Sequence, residues 1–151
     1  MRRRSRSGPV GAAQDIAAAG AHRDALSGIL VLLVEDDESS RDALTLLFGY
    51  YGAHVLAAGS VADALRQYGF GEPDLIVSDI GLPGEDGYAL IRRVRMRDQA
   101  RGAWTPAIAV SGIVGPGTDA RARAAGFDEF LAKPVDVGTL LATARSLVEA
   151  N

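Results

Sequence analysis

The run Leu75–Ser78 constrains the fold more than any other stretch, because it is mostly branched and apolar and ends abruptly in one carboxylate. Asp79 follows it directly, and a turn rich in Gly and Pro follows at residues 80–84. This pattern is typical of a buried strand that leads into a loop. In open α/β sheets, ligands bind at the edge formed by the carboxyl ends of the strands. We therefore expect Asp79 at that edge; the alternative is that it only caps the next turn.

The rest of the chain alternates between apolar runs and helical patterns. The predicted strands are Ile29–Val34, His54–Ala58, Leu75–Ser78, Ala107–Val110 and Glu129–Ala132. Apolar residues at helical spacing predict helices around residues 43–51, 60–68, 87–96 and 118–125, and after Asp136. The alternation indicates right-handed βαβ crossovers, and therefore one parallel sheet with helices on both faces.

Local signals predict where several of these helices begin and end. Ser60, Thr118 and Asp136 are predicted to cap the second, fourth and fifth helices, because each has a side-chain oxygen that accepts from free backbone N–H groups. Gly126 is predicted to end the fourth helix. The segment 98–106 is predicted to be a loop in which Trp104 is a packing anchor.

The composition is that of one soluble globular domain. The chain has 151 residues, of which 48% are hydrophobic and 23% charged, and this length is enough for a full core. It has no apolar run of the roughly 18 residues that a membrane span needs, and no apolar segment that would make the basic start a signal peptide. It has no cysteine, which excludes disulfides, thiol catalysis and Cys-ligated zinc. We expect a cytoplasmic protein.

Charge separates the first 27 residues from the rest. Residues 1–27 hold five arginines and two aspartates, a net charge of +3, whereas the remainder holds 11 basic and 17 acidic residues, a net of −6. We expect 1–27 to be a flexible basic extension and 28–149 to be the folded domain. The extension is expected to be solvated, with contact to an acidic partner or lipid as the alternative. The acidic domain is a poor surface for nucleic acid, so no direct DNA binding is expected.

Polar residues follow four of the five predicted strands, and parallel strands place them at one edge of the sheet. They are Glu35 and Asp36, Asp79, Ser111, and Lys133 before Pro134. Three clustered carboxylates repel one another, and a hard divalent cation cancels that repulsion. Ligand oxygens without Cys or His favour Mg²⁺ over zinc. Lysine and serine would then contact a phosphoryl group, which leaves Asp79 as the nucleophile that forms an acyl phosphate.

Each of these residues also has an ordinary explanation. Residues 35–38 fit a solvated acidic turn, Ser111 a strand-end hydroxyl and Lys133 a surface lysine. However, Lys133 is the single lysine beside fifteen arginines, and lysine supplies a compact point charge rather than a planar fork. The occurrence of all of them at successive strand ends favours a shared site.

With these residues in place, the sequence resembles the receiver domain of two-component response regulators across residues 28–149. The matching segments are 34–37, 79–87, 111–112 and 130–134. The resemblance implies a doubly wound, flavodoxin-like parallel sheet of five strands in the order 2-1-3-4-5, with five helices. It also implies a protein that catalyses only its own phosphoryl transfer and dephosphorylation.

The resemblance further implies a role for each site residue. Asp79 accepts a phosphoryl group from a phosphohistidine on a histidine kinase or a histidine phosphotransfer protein. Asp36, Asp79 and the backbone carbonyl of Gly81 bind Mg²⁺, and Glu35 acts largely through water.

A second group of residues is implied to respond to phosphorylation. Lys133 pairs with the phosphoryl oxygens and forms a cis peptide with Pro134. Ser111 moves toward the phosphoryl group, and Phe130 turns inward behind it. We expect a single-domain regulator whose downstream target binds the face built from the fifth strand and the last two helices.

The sequence departs from the family pattern near the nucleophile. Gly81 and Ile113 stand two residues after the nucleophile and after the hydroxyl, where polar side chains in this family help to orient the hydrolytic water. We therefore predict a comparatively long-lived acyl phosphate. A haloacid-dehalogenase phosphatase would need a second acid at Gly81. A pseudo-receiver that only binds partners, and a receiver detached from a hybrid histidine kinase, are the remaining alternatives.

Overall fold

The computed structural model describes residues 23–150, and within that range five parallel strands form one sheet in the order β2-β1-β3-β4-β5. The strands are β1 (Leu30–Val34), β2 (His54–Ala58), β3 (Leu75–Asp79), β4 (Ala107–Ser111) and β5 (Glu129–Ala132). The helices are α1 (Glu38–Tyr50), α2 (Val61–Phe70), α3 (Gly87–Arg101), α4 (Thr118–Ala125) and α5 (Val137–Ala150). The predicted fold class and strand order are confirmed.

Burial on both faces explains why the central strands are continuously apolar. In β1, Leu32 and Val34 belong to the core under α2, α3 and α4, whereas Val31 and Leu33 belong to the core under α1 and α5. A strand covered on both sides needs an apolar residue at every position.

The register places the ends of the strands at one edge. Val34 of β1 lies opposite Ser78 of β3, Asp79 lies opposite Val110 of β4, and Ser111 lies opposite Ala132 of β5. The residues that follow β1, β3, β4 and β5 therefore meet on one rim of the sheet.

Two linked predictions for the middle of the chain were wrong: the end of the third helix and the start of the loop after it. The helix predicted to end near Met96 continues to Arg101, because Gly102 is the left-handed C-cap and Asp98 is buried against the fold rather than in a loop. Trp104, predicted to be a packing anchor, is 49% exposed; the Arg95 guanidinium lies 3.5 Å from its ring centre, and its indole N–H donates to Asp128 at 3.0 Å.

Among the predicted caps, two are confirmed and one is wrong. Ser60 accepts from the N–H of Asp63 at 3.1 Å, and Asp136 accepts from the N–H of Thr139 at 2.9 Å. Thr118 is instead the first residue of α4, and its hydroxyl accepts from the N–H of Gly115, because the N-cap position is taken by a glycine with positive φ.

The packed part of the chain begins ahead of residue 28. Leu26 is fully buried in the core under α1 and α5, and its N–H donates to the carbonyl of Tyr51 at 2.8 Å. Residues 1–22, most of the predicted extension, lie outside the described residues. No helix within 23–150 has the length and apolar character that crossing a bilayer requires.

Candidate functional site

The acidic turn after β1 is held in place by backbone contacts. Glu35 is 3% exposed, whereas Asp36 is exposed. The Arg41 guanidinium reaches back from α1 and donates to the carbonyls of Glu35 at 2.9 Å and Asp36 at 3.4 Å. Asp37 caps α1 by accepting from the N–H of Ser40 at 2.9 Å, and this backbone hydrogen bond lowers the pKa of Asp37. The capped helix therefore fixes where the two preceding acids stand.

Lys133 joins the acidic turn to Asp79. Its ammonium donates to Asp79 Oδ2 at 2.7 Å and to Glu35 Oε1 at 2.9 Å. Partial burial lowers the pKa of Lys133, but the hydrogen bonds and negative charges of Asp79 and Glu35 outweigh that effect and raise it above its ordinary value. A protonated lysine therefore stands between two carboxylates at the sheet rim.

The free oxygens of the two bridged carboxylates are also positioned. Glu35 Oε2 accepts from the N–H of Asp37 at 3.0 Å, and Asp79 Oδ1 accepts from the N–H of Gly81 at 3.1 Å. Each carboxylate thus has one oxygen on the lysine and one on the backbone, an arrangement that fixes its orientation.

Three carboxylates at this rim fit a hard cation. Glu35, Asp36 and Asp79 each offer an oxygen, and these oxygens lie within 4.8 Å of one another. All the donors are oxygen, the set that Mg²⁺ prefers, and the exposed Asp36 leaves one side open to water ligands. The role of the Gly81 carbonyl as a further ligand of Mg²⁺ stays a prediction.

Ser111 lies beside this cluster but is not bonded to it. It is 2% exposed, and its hydroxyl oxygen accepts from the N–H of Ile113 at 3.0 Å. It lines a cavity of about 370 Å³ together with Gly81, Ile113 and Arg121 of α4. A hydroxyl held by its own loop, next to open space, has room to change partners.

Phe130 lies one strand further out. It is half-buried, packs against the core under α2, α3 and α4, and lines a second cavity with Arg123 and Val114. The Lys133–Pro134 peptide is cis, as predicted. The switching roles of Ser111 and Phe130 stay predictions.

The structure brings Glu35, Asp36, Asp79 and Lys133 together as predicted, and places Ser111 next to them. Sequence reasoning missed Arg41, a basic residue six positions after Glu35, which lies in the first turn of α1 but ahead of the helix predicted around residues 43–51.

Gly87 was also missed as a residue that shapes the site. A Cβ there would stand 2.5 Å from the carbonyl oxygen of Asp79 and 2.8 Å from the Cα of Ile80. The N–H of Gly87 donates to the carbonyl of Ile80 at 2.8 Å. The start of α3 therefore packs directly against the backbone that carries Asp79, which leaves no room for a side chain.

Comparison with known proteins connects this geometry to one family. A family model described as the response regulator receiver domain matches residues 31–145. An uncharacterized 14.6 kDa protein of Leptolyngbya boryana is 37% identical over 106 residues, covering 70% of this chain and 79% of that protein. The structure of the chemotaxis protein CheY4 of Vibrio cholerae superposes with a TM-score of 0.72 at 28% identity, covering 79% of this chain and 98% of that one.

Longer proteins contain a similar segment. Hybrid signal transduction histidine kinase D of Dictyostelium discoideum is 30% identical over 137 residues, which cover 87% of this chain but 9% of the kinase. The chain therefore corresponds to a small part of that relative.

Proposed function

The chain belongs to the response regulator receiver domain family, and we propose that it is a phosphoacceptor in a two-component phosphorelay. In this proposal Asp79 takes a phosphoryl group from a phosphohistidine on a histidine kinase or a histidine phosphotransfer protein. The single observation that carries the proposal is the contact of Lys133 with both Asp79 and Glu35 at 2.7 and 2.9 Å. It places a cation against the predicted nucleophile, beside two further carboxylates.

The geometry around Asp79 supports its role as the nucleophile. Its side chain is 11% exposed and is held by Lys133 on one oxygen and by the N–H of Gly81 on the other. In the transfer, a carboxylate oxygen of Asp79 forms a bond to phosphorus while the bond from phosphorus to the donor histidine nitrogen breaks. The ammonium of Lys133 is close enough to stabilise negative charge on the phosphoryl oxygens as they arrive.

Mg²⁺ is the proposed cofactor, and Asp36, Asp79 and the carbonyl of Gly81 would hold it, with Glu35 acting through water. When bound, the ion would offset the charge of the phosphoryl oxygens. Arg41 and the capping of α1 by Asp37 keep the acidic turn in place, so that Asp36 points its free carboxylate to solvent.

We propose that the phosphorylated domain passes on its signal by contact with another protein. Ser111 would move toward the phosphoryl group, and Phe130, half-buried beside a cavity, would turn inward in response. Such a change biases a two-state surface formed by α4, β5 and α5. The downstream target is proposed to bind there.

The test is phosphorylation by a small donor. The full chain is incubated with acetyl phosphate and Mg²⁺, and its intact mass is measured. We expect one phosphoryl adduct that is lost in Asp79→Asn and in the presence of a chelator. Asp42→Asn, an exposed aspartate of α1 outside the site, is the matched control and should keep the adduct.

Two results would contradict the proposal. An adduct that persists in Asp79→Asn would assign the chemistry to another residue. No adduct in the wild-type chain would favour a pseudo-receiver that only binds partners.

A further inference from the structure

The two helical layers of the domain carry different charges. The helices α2, α3 and α4, which cover one face of the sheet, hold eight arginines and three aspartates, a net charge of +5. The helices α1 and α5 on the other face hold two arginines and three acidic residues, a net of −1. Because residues 28–151 have a net charge of −6, the basic layer is a local feature of an acidic domain.

The centre of this layer is the solvent side of α3. Ile91 and Val94 face the core, so helical spacing turns Arg92, Arg93 and Met96 outward. We call these three residues the outer ridge of α3. Met96 is 71% exposed although it is apolar, and the two arginines lie one turn before it on the same side of the helix.

Most arginines of α3 already have a partner. Arg95 and Arg101 turn inward to the buried carboxylate of Asp98. Arg93 pairs with Glu85, whereas no ion pair or side-chain hydrogen bond of the described residues uses Arg92. Arg92 is therefore the free cation of the outer ridge.

Further arginines stand on both sides of the ridge. On the α2 side, Arg97 donates to the carbonyl of Leu65 at 3.2 Å. On the α4 side, the Arg121 guanidinium lies 4.3 Å from the ring centre of Tyr88. Arginines of both α3 and α4 therefore stand beside the ridge.

We propose that the outer ridge of α3 is a docking surface for an acidic segment of a partner protein that carries one apolar side chain. Carboxylates of such a segment complement Arg92 and Arg93, and its apolar side chain packs on Met96, whose flexible thioether adapts to different shapes. The surface lies on the outside of a helix, so the proposal does not depend on phosphoryl transfer to Asp79.

The observations favour this partner over other anions. The chain's own residues 1–22 carry four arginines and one aspartate, so they are repelled by the ridge. Nucleic acid binding relies on several free cations, whereas Arg93 already pairs with Glu85 and Arg66 with Asp63. A membrane surface needs more than one apolar side chain.

The test uses the full chain and a short fluorescent peptide of Glu and Ala with one central Leu. Fluorescence anisotropy is expected to show binding that weakens as salt is raised. Arg92→Glu combined with Arg93→Glu should weaken binding about tenfold. Met96→Ala should weaken binding without changing the salt dependence, and Met96→Leu should retain it. Arg92→Gln, which leaves the Arg93–Glu85 pair intact, provides a milder variant should the double charge reversal unfold the chain.

The control is Arg145→Glu, one charge reversal at an exposed site of α5 against two in the ridge variant, and it should leave binding unchanged. If Arg145→Glu lost half or more of the binding free energy that the double variant loses, only net charge would matter and the proposal would be overturned. If binding is unchanged in both variants that replace Arg92, the peptide binds the basic residues 1–22 instead, and this result would also overturn the proposal. If duplex DNA or anionic lipid vesicles bind more tightly than the peptide and require Arg92, the occupant of the ridge is that polyanion or membrane and not an acidic protein segment.

Discussion

Replacing Asp98 by Ala is expected to lower the free energy of unfolding by about 3–5 kcal/mol, the usual cost of removing one partner of a buried ion pair. The Asp98 carboxylate is 1% exposed and accepts five hydrogen bonds. Tyr68 donates its hydroxyl at 2.6 Å, and Thr105 donates its N–H at 2.8 Å and its hydroxyl at 2.9 Å. Arg95 and Arg101 donate at 2.9 and 3.1 Å.

These donors do not contribute equally. Arg101 is 32% exposed and also pairs with Glu72, so its share is small. Arg95 is 12% exposed and keeps a contact with Asp128 after the substitution, which reduces the penalty of leaving its charge buried. The groups left without a partner are chiefly those of Tyr68 and Thr105. We therefore place the loss near the lower end of the range, at about 3 kcal/mol.

Asp98→Asn removes the charge of the side chain but keeps its volume, so it measures the contribution of the charge separately from that of the volume. Oδ2 of Asp98 accepts from the N–H of Thr105 and from Arg95, which can only donate. Oδ1 accepts from the hydroxyls of Tyr68 and Thr105, which can reverse and accept, and from the part-exposed Arg101, which cannot. An asparagine is expected to put its NH₂ group at the Oδ1 position. It then loses the hydrogen bond from Arg101 and the charge assistance of the other four, and we expect a loss of about 2 kcal/mol.

The assay is urea unfolding followed by far-UV circular dichroism, with unchanged slopes taken as evidence that the two-state comparison is valid. Asp119→Asn is the control, because Asp119 is exposed and pairs with Arg123 on the surface of α4; its loss should stay within about 0.5 kcal/mol. A loss below about 1 kcal/mol for Asp98→Ala, or equal losses at Asp98 and Asp119, would refute the reasoning.

The remaining predictions concern acid stability and the rim of the sheet. Burial raises the pKa of Asp98, but hydrogen bonds from its donors outweigh this and lower the pKa from 3.8. The charged carboxylate therefore stabilises the fold at neutral pH, and this stabilisation is lost as pH falls below about 4. The free energies of unfolding of wild type and Asp98→Asn should accordingly converge in acid. Gly87→Ala, which pushes a Cβ against the Asp79 carbonyl, should cost about 1–3 kcal/mol in urea unfolding, whereas Gly81→Ala, whose Cβ meets open space, should cost little. Gly81→Asn should shorten the half-life of the acyl phosphate, measured by intact mass after donor removal; an unchanged or longer half-life would contradict the predicted role of position 81. Lys133→Gln should slow adduct formation about a hundredfold, and a rate within a fewfold of wild type would remove Lys133 from the transfer.

The strands were predictable from sequence because burial on both faces leaves a strong signal. Every position of β1 is apolar, and the first polar residue, Glu35, comes directly after the last residue of the strand. The apolar run of β3 led to Asp79 in a similar way, although the buried Ser78 precedes it; β5 is only partly buried, so the signal that led to Lys133 was weaker. The parallel arrangement then required these residues to share an edge, which is why the residues of the candidate site were predictable from the sequence.

The end of α3 was not predictable in this way. Aspartate is a residue type typical of surface loops, and the burial of Asp98 depends on Tyr68, which lies 30 residues earlier in the chain. Neither periodicity nor capping rules report such a contact. For the same reason, the bridging of Glu35 and Asp79 by Lys133 follows from tertiary packing, whereas the sequence predicted only that these residues are neighbours.

The position of Lys133 in the chain has a consequence during synthesis. It is separated from Glu35 by 98 residues and from Asp79 by 54. A nascent chain on the ribosome therefore exposes its aspartate long before the matching ammonium leaves the exit tunnel. Because the pair forms once β5 has joined the sheet, an unfinished molecule would hold a carboxylate without its ammonium, and under the proposed function it would accept a phosphoryl group more slowly than the folded domain.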